Sequence, residues 1–283
     1  MLKSYLTILK NLIKNERETF VLEKNKFTRN HKMSFEDVVY YILGNKGKTI
    51  VLEIEDYFNE KFGDDEIPIS KQALSERRSF LDWKIFKRTD TDALTDFYST
   101  KSDYLEDFKE YYVLTIDGSP VDLPNAKITR EEFGVQLRAL KEAESPKARI
   151  STLCDVKNDF IIDSTISPMS IGEHTLAQEN IEKSSKTIDL KKAIIIFDRL
   201  YPSTELYLKL IEKESKFIFR LKKTDYIHEK KYMKTDDEYT DIKLNATRTQ
   251  SIKNNQLKEK TKEIKSLNLR IVNVKQKQEK LKH

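Results

Sequence analysis

Two apolar runs in this chain, Tyr111–Ile116 (YYVLTI) and Ala193–Phe197 (AIIIF), each lead straight into an aspartate, Asp117 in IDGS and Asp198 in FDRLYPS. Short continuous runs of β-branched and aromatic residues suit strands covered on both faces, as in parallel sheets. If the two strands lie side by side and parallel, their ends share the sheet edge where open α/β sheets keep their chemistry. Two carboxylates 81 residues apart in the chain then converge. Hard carboxylate oxygens held together are ligands for a divalent cation.

The chain up to about residue 100 reads as helical. Leu2, Tyr5, Leu6, Leu9, Leu12 and Ile13 recur at spacings of three and four, the mark of one buried helix face. Ser34 precedes Phe35, Val38, Val39, Ile42 and Leu43, with Asp37 placed for a capping box and Gly44 as the stop. Ile50, Val51, Ile54, Tyr57 and Phe58 mark a third helix ending near Gly63, and Ser70 caps a fourth, SKQALSERRSFLDW, that runs to Trp83. Lys71, Gln72, Ser75, Arg77 and Arg78 crowd its first turns. In a helix-turn-helix module the second helix uses such side chains on phosphates and base edges, although helix pairs joined by short turns also occur in proteins that never touch DNA.

Past Lys101 the pattern changes. YYVLTIDGS, Ala148–Val156 (ARISTLCDV) and Phe160–Ile166 (FIIDSTI) read as three strands, the last two joined by a tight turn at Lys157, Asn158 and Asp159. HTLAQENIEKSS is helical, KAIIIFD a strand, TELYLKLIEKE helical and KFIFRLK a fifth strand. The order βββαβαβ is that of a ribonuclease H-like core, in which the first and fourth strands are neighbours. The expected organisation is α+β: a helical DNA-binding domain over 1–100, the core over 108–222, and a polar, poorly ordered segment over 223–283.

Composition closes other routes. With 38% hydrophobic and 35% charged residues, 6 Gly and 6 Pro in 283, the chain can bury a core and is neither fibrous nor a disordered tail. Lys10 and Lys14 break the one greasy N-terminal segment, so no stretch reaches the roughly 20 apolar residues of a membrane span, and no signal-peptide cleavage site is present. A single cysteine, Cys154, excludes an internal disulfide and a cysteine-rich zinc site. His31, His174, His228 and His283 share no ligand spacing. A cytoplasmic protein without a membrane partner is expected. The net charge of +5 is concentrated: residues 240–283 hold ten Lys and two Arg against one Asp and three Glu, leaving residues 1–239 net acidic. A basic tail can attract phosphate backbones or be only a solvated run.

VLTIDGSPVDLPN at Val113–Asn125, ARISTLCDVKNDFIIDSTI at Ala148–Ile166 and IIIFDRLYPSTEL at Ile194–Leu206 resemble the IS4-type DDE transposases of bacterial insertion sequences. ISKQALSERR at Ile69–Arg78 resembles the helical N-terminal region of that family, so the likeness covers most of residues 30–222. The resemblance implies metal-dependent cleavage and strand transfer at insertion-sequence ends, with Mg²⁺ or Mn²⁺ as cofactor, double-stranded DNA as partner and substrate, a possible homodimer, and a bacterial, nucleoid-associated location. It makes Asp117 and Asp198 the first two members of the metal-binding acidic triad, and Arg199 and Tyr201 their neighbours in contact with DNA.

Two departures follow. Leu200 stands where the family usually has glycine after the Asp-Arg pair. The third acid of the family lies on a helix with a Tyr-x-x-Arg-x-x-x-Glu pattern, and no tyrosine of this chain has an arginine three residues later. Residues 223–283, ending in RIVNVKQKQEKLKH, resemble the truncated start of the β-rich insertion that precedes that helix. The expectation is a C-terminally truncated, inactive transposase, unless Glu205 or an acid of a second subunit replaces the missing ligand. The alternatives are a non-catalytic DNA-binding or transposase-interfering protein and an unrelated metal-dependent phosphohydrolase. Plainer roles are expected elsewhere: Asp155 forms a turn, Asp163 is a strand-edge polar residue, Cys154 a buried small hydrophobe, Trp83 a core residue, and His174 a helix-start residue that can lie near the acids.

Overall fold

The computed structural model describes residues 2–28, 32–63, 68–135 and 145–274. His31, His283 and the last residues of the basic tail lie outside the described residues. The chain divides into two compact units, Met1–Ser102 and Asp103–His283.

The first unit is helical: α1 (Leu2–Glu16), α2 (Phe35–Leu43), α3 (Ile50–Phe62), α4 (Lys71–Ser79) and α5 (Lys84–Thr100). Leu9, Leu12, Val38, Ile54, Phe58, Leu74 and Ile85 share its core. The capping box of α2 is present, and Gly44 and Gly63 cap the C-termini of α2 and α3, Gly63 with φ 89°. The fourth helix stops at Ser79 rather than Trp83. Leu22 N–H donates to the Phe80 carbonyl at 2.9 Å and Asp82 N–H to the Phe20 carbonyl at 2.8 Å, so tertiary bonds replace the helical ones and a separate helix, α5, follows. Trp83, at the start of α5, is 62% exposed and is not a core residue.

Asp37 ties α2 to α3. Its carboxylate accepts from Ser34 N–H at 2.8 Å, the Ser34 hydroxyl at 2.7 Å and the Tyr57 hydroxyl at 2.9 Å, and it pairs with Lys61. Burial, then the charge of Glu36, pushes the Tyr57 phenol up to about 12, so it stays a donor. Replacing Asp37 by Ala strands these donors. Asp37→Ala is expected to lower stability by about 2–3 kcal/mol and Ser34→Ala by about 1 kcal/mol, read from denaturant unfolding midpoints.

The second unit runs β1 (Tyr112–Asp122), α6 (Lys127–Phe133), β2 (Lys147–Asp155), β3 (Phe160–Pro168), α7 (Glu173–Ser184), β4 (Ala193–Phe197), α8 (Thr204–Glu212) and β5 (Lys216–Phe219). The sheet order is β3-β2-β1-β4-β5, with β1–β2 and β2–β3 antiparallel and β1–β4 and β4–β5 parallel. This is the ribonuclease H-like arrangement with first and fourth strands adjacent; α6 is an addition the sequence pattern did not suggest. Leu114, Ile116, Ala193, Ile195 and Phe197 are buried, and each large side chain among them contributes about 1.5–3 kcal/mol by leaving water. Asp155 closes the β2–β3 turn by accepting from Lys157 and Asn158 N–H. Asp163 is on the edge strand β3, but its side chain is not solvated. It is buried against α7, where Asn180 Nδ2 donates to it at 2.8 Å while Asn180 Oδ1 accepts from the Ser151 hydroxyl at 2.7 Å. Cys154 is only partly buried.

Within the segment after β5, residues 220–274 form packed secondary structure, where the polar reading expected poor order. It forms α9 (Ile227–Tyr232), β6 (Asp237–Lys243), α10 (Ala246–Thr249), α11 (Asn255–Glu263) and β7 (Ser266–Val272), with β6 and β7 antiparallel. Ile242, Ile252, Leu257, Leu267 and Ile271 close over Tyr207 and Leu208 of α8. Sparse apolar residues suffice because each one faces the same patch, while the Lys-rich remainder stays solvated. Ile242→Ala is expected to cost about 2–4 kcal/mol, and amides of Leu267–Ile271 should exchange as slowly as those of β2. Fast exchange there would contradict a packed segment.

Candidate active site

Asp117 and Asp198 are neighbours because of strand register. Ile116 pairs with Phe197 as the last residue pair between β1 and β4, and one step further stand the two aspartates, on strands spaced about 4.8 Å apart. Both are exposed. Asp117 does not end its strand, although the apolar run stops there. β1 continues to Asp122, with Asp117 opposite Thr152 of β2, so only β4 stops at the acids. Arg220 Nη1 stands 3.7 Å from Asp198 Oδ1, both side chains well exposed, an ion pair weak enough for another cation to displace.

Gly118 is therefore a strand residue and not a turn. A Cβ there would come within 2.9 Å of Glu173 Cγ, 3.3 Å of Glu173 Cδ and 3.6 Å of the Tyr201 hydroxyl; glycine inside a strand marks such close approach. Glu173 opens α7, and its Oε1 lies 3.7 Å from Arg149 Nε. His174 Nε2 bonds the Leu200 carbonyl at 2.8 Å, pinning the first turn of α7 to the loop that carries Asp198. Tyr201, expected at the DNA surface, is instead 1% exposed, with its ring 5.8 Å from those of Phe197 and His174. Its phenol is pushed up by burial, then by the carboxylates of Glu173 and Asp117, against the opposing charge of Arg149.

The fold thus brings Asp117, Asp198, Glu173 and Tyr201 to one edge. Arg199 lies exposed in the turn after Asp198. Glu205, the candidate replacement acid, is engaged elsewhere: it accepts N–H groups of Lys253 and Asn254. Among the described residues no group of three or more His, Cys, Asp or Glu side chains is placed to hold a metal ion. Lys71, Arg77 and Arg78 belong to the helical unit. Lys71 and Arg78 are exposed on α4, whereas Arg77 lies over the Phe27 ring at 5.3 Å, and burial lowers its pKa. Among the described residues no helix is long and apolar enough to cross a membrane.

Glu173 was not singled out from sequence. The available signal was the glycine directly after a strand aspartate. Gly118→Ala is expected to destabilise the protein by about 1–3 kcal/mol through overpacking, with Glu173→Ala in the same chain recovering most of the loss; thermal unfolding of the single and double variants measures both.

Comparison with known proteins places this arrangement. Residues 108–283 match the family described as Transposase DDE domain. Among curated proteins none matches. Solved structures with a similar course include a piggyBac transposase synaptic complex with hairpin DNA, at 14% identity over 85% of this chain and 58% of that one, TM-score 0.41. A Mos1 transposase paired-end complex with the left transposon end matches at 13% identity over 69% of this chain and 61% of that one, TM-score 0.27. The chain spans less than two thirds of the length of either. The assignment rests on the family match, which takes in more than half of the residues and includes both strands that carry the aspartates: the chain belongs to the transposase DDE domain family.

Proposed function

We propose that this chain is an insertion-sequence transposase of the IS4 type whose second unit binds a divalent cation, Mg²⁺ or Mn²⁺, through Asp117 and Asp198 and takes double-stranded DNA as its partner. The observation that carries this reading is the β1–β4 register, which sets the exposed carboxylate of Asp117 on β1 level with that of Asp198 just past the end of β4. The donor set fits a hard cation, and Asp198 already has a cationic neighbour in Arg220. A bound ion at such a site activates water or a 3′-hydroxyl and stabilises the leaving oxygen at phosphorus. The chain's own contribution is to hold the carboxylates, to present Arg199 to a phosphate, and to offer Lys71 and Arg78 on an exposed helix face for backbone contacts.

A second reading, DNA binding or interference with an intact transposase without catalysis, is favoured by one observation. The 283 residues lack the Tyr-x-x-Arg pattern of the third acid, and Glu205 is committed elsewhere. Loss of one positioned electrostatic element costs on the order of 10²–10³ in rate, so these residues alone are proposed to bind DNA and ion but not to cut. Expected results are Mn²⁺ binding that disappears in Asp117→Ala, and binding to insertion-end duplex that falls steeply with salt, its log–log slope reduced by about one for each of Lys71→Ala and Arg78→Ala. Strand cleavage abolished by Asp117→Ala would refute inactivity while upholding the site; Mn²⁺ binding untouched by Asp117→Ala would refute the site itself.

A further inference from the structure

We infer that α4 is the helix that reads DNA sequence, with Gln72 and Glu76 contacting base edges in the major groove and Lys71 and Arg78 gripping the phosphates alongside. The inference deepens the proposed function and rests on its reading of double-stranded DNA as the partner.

The first observation is a face without partners in its own chain. Lys71, Gln72, Ser75, Glu76, Arg78 and Ser79 are all exposed on α4. Among the described residues the side chains of Lys71, Gln72, Ser75 and Arg78 make no hydrogen bond or ion pair. Cations elsewhere in the first unit are paired: Lys46, Lys48, Lys61, Arg88 and Lys101 each hold a carboxylate. The second observation is layout. At about 3.6 residues per turn, Lys71, Ser75 and Arg78 form one row along the helix, and Gln72, Glu76 and Ser79 form the next. The two cations therefore border one side of the face and the amide and carboxylate the other, with serines where the rows meet. No bulky side chain stands at the crest to keep the helix away from a groove floor. The third observation is rigidity. Leu74 is 1% exposed, Arg77 lies over the Phe27 ring at 5.3 Å, and the Phe80 carbonyl just past the helix accepts from Leu22 N–H at 2.9 Å. The Ser70 hydroxyl caps the other end by accepting from Ala73 N–H at 3.2 Å.

Duplex DNA matches this face in charge and in shape. The major groove admits an α-helix, and a reading helix touches base edges with residues near its N-terminus; Gln72 lies in the first turn of α4. A glutamine amide bonds N6 and N7 of adenine together, and a carboxylate accepts from N4 of cytosine. Glu76 suits the second role, because beside a phosphate it would only repel. Lys71 and Arg78 carry no base information, and the counterions they release favour every sequence alike. Gln72 and Glu76 stand one helical turn apart, roughly 6 Å. With the helix along the groove, the adenine and the cytosine they read fall within about two base-pair steps of each other.

The test selects bound duplexes from a pool of randomised sequence with the full chain, without divalent ion so that no cleavage intervenes, and then measures Kd against salt on the selected site. The parent, Gln72→Ala, Glu76→Ala and Lys71→Ala are compared, with thermal midpoints recorded alongside. The parent is expected to select a site holding the adenine and the cytosine. Gln72→Ala should lose discrimination at the adenine alone, by about 5- to 150-fold, with the salt slope and midpoint of the parent. Glu76→Ala should lose the cytosine while holding unselected duplex as tightly as the parent or tighter, since an anion is removed. Lys71→Ala should weaken every sequence alike and keep both preferences. If the parent binds duplex without preference, or if Gln72→Ala and Glu76→Ala keep every preference of the parent, α4 does not read sequence and the DNA reading stands without it. If Gln72→Ala lowers the midpoint and weakens all sequences equally, Gln72 is structural and the proposal is overturned. If the parent binds no duplex even at low salt, the DNA reading falls and this inference with it.

Discussion

The parallel pairing of β1 with β4 is the constraint on which the second unit depends. Five residue pairs, Tyr112 with Ala193 through Ile116 with Phe197, align two runs that water would otherwise solvate at high cost. Register in a buried strand is strongly specified, since a slip of one residue would turn Leu114, Ile116, Ile195 and Phe197 away from their core. The same requirement that buries these side chains sets Asp117 beside Asp198. The acids are thus located by hydrophobic burial one residue back.

Around that register the edge is crowded in a specific way. β4 ends at Phe197 while β1 runs on to Asp122, so Asp117 and Gly118 keep β2 as a partner but lose β4. The space vacated by β4 is filled by the turn that carries Leu200 and Tyr201 and by the first residues of α7. Leu200 itself is 55% exposed and contributes its carbonyl, which His174 holds. The Leu200 side chain therefore points no strain into the core, and the link to α7 is made through its backbone carbonyl.

The first unit was legible wherever local signals coincide. Ser34, Asp37 and Gly44 bracket α2 as their chemistry requires, and Gly63 ends α3. The boundary between α4 and α5 was not legible, because the helical pattern of the sequence continues through Phe80 and Trp83. What breaks it is the pairing of Phe80 and Asp82 with Leu22 and Phe20, residues some sixty positions earlier. In the second unit the polar stretch 223–272 misled for a related reason. Its apolar residues are too sparse to announce a core, and they acquire one only by closing on Tyr207 and Leu208.

The sequence alone determined the order of β1 to β5 with α7 and α8 between them, the neighbouring of Asp117 and Asp198, and the caps of α2 and α3. These follow from apolar periodicity and from side chains that bond their own backbone, both of which act within a few residues. Only the tertiary structure decided that β1 runs on to Asp122, that Glu173 fills the room left by the missing Cβ of Gly118, and that Tyr201 is buried. Those facts depend on where α7 and the turn after β4 meet β1, contacts between residues tens of positions apart whose pairing no local pattern encodes.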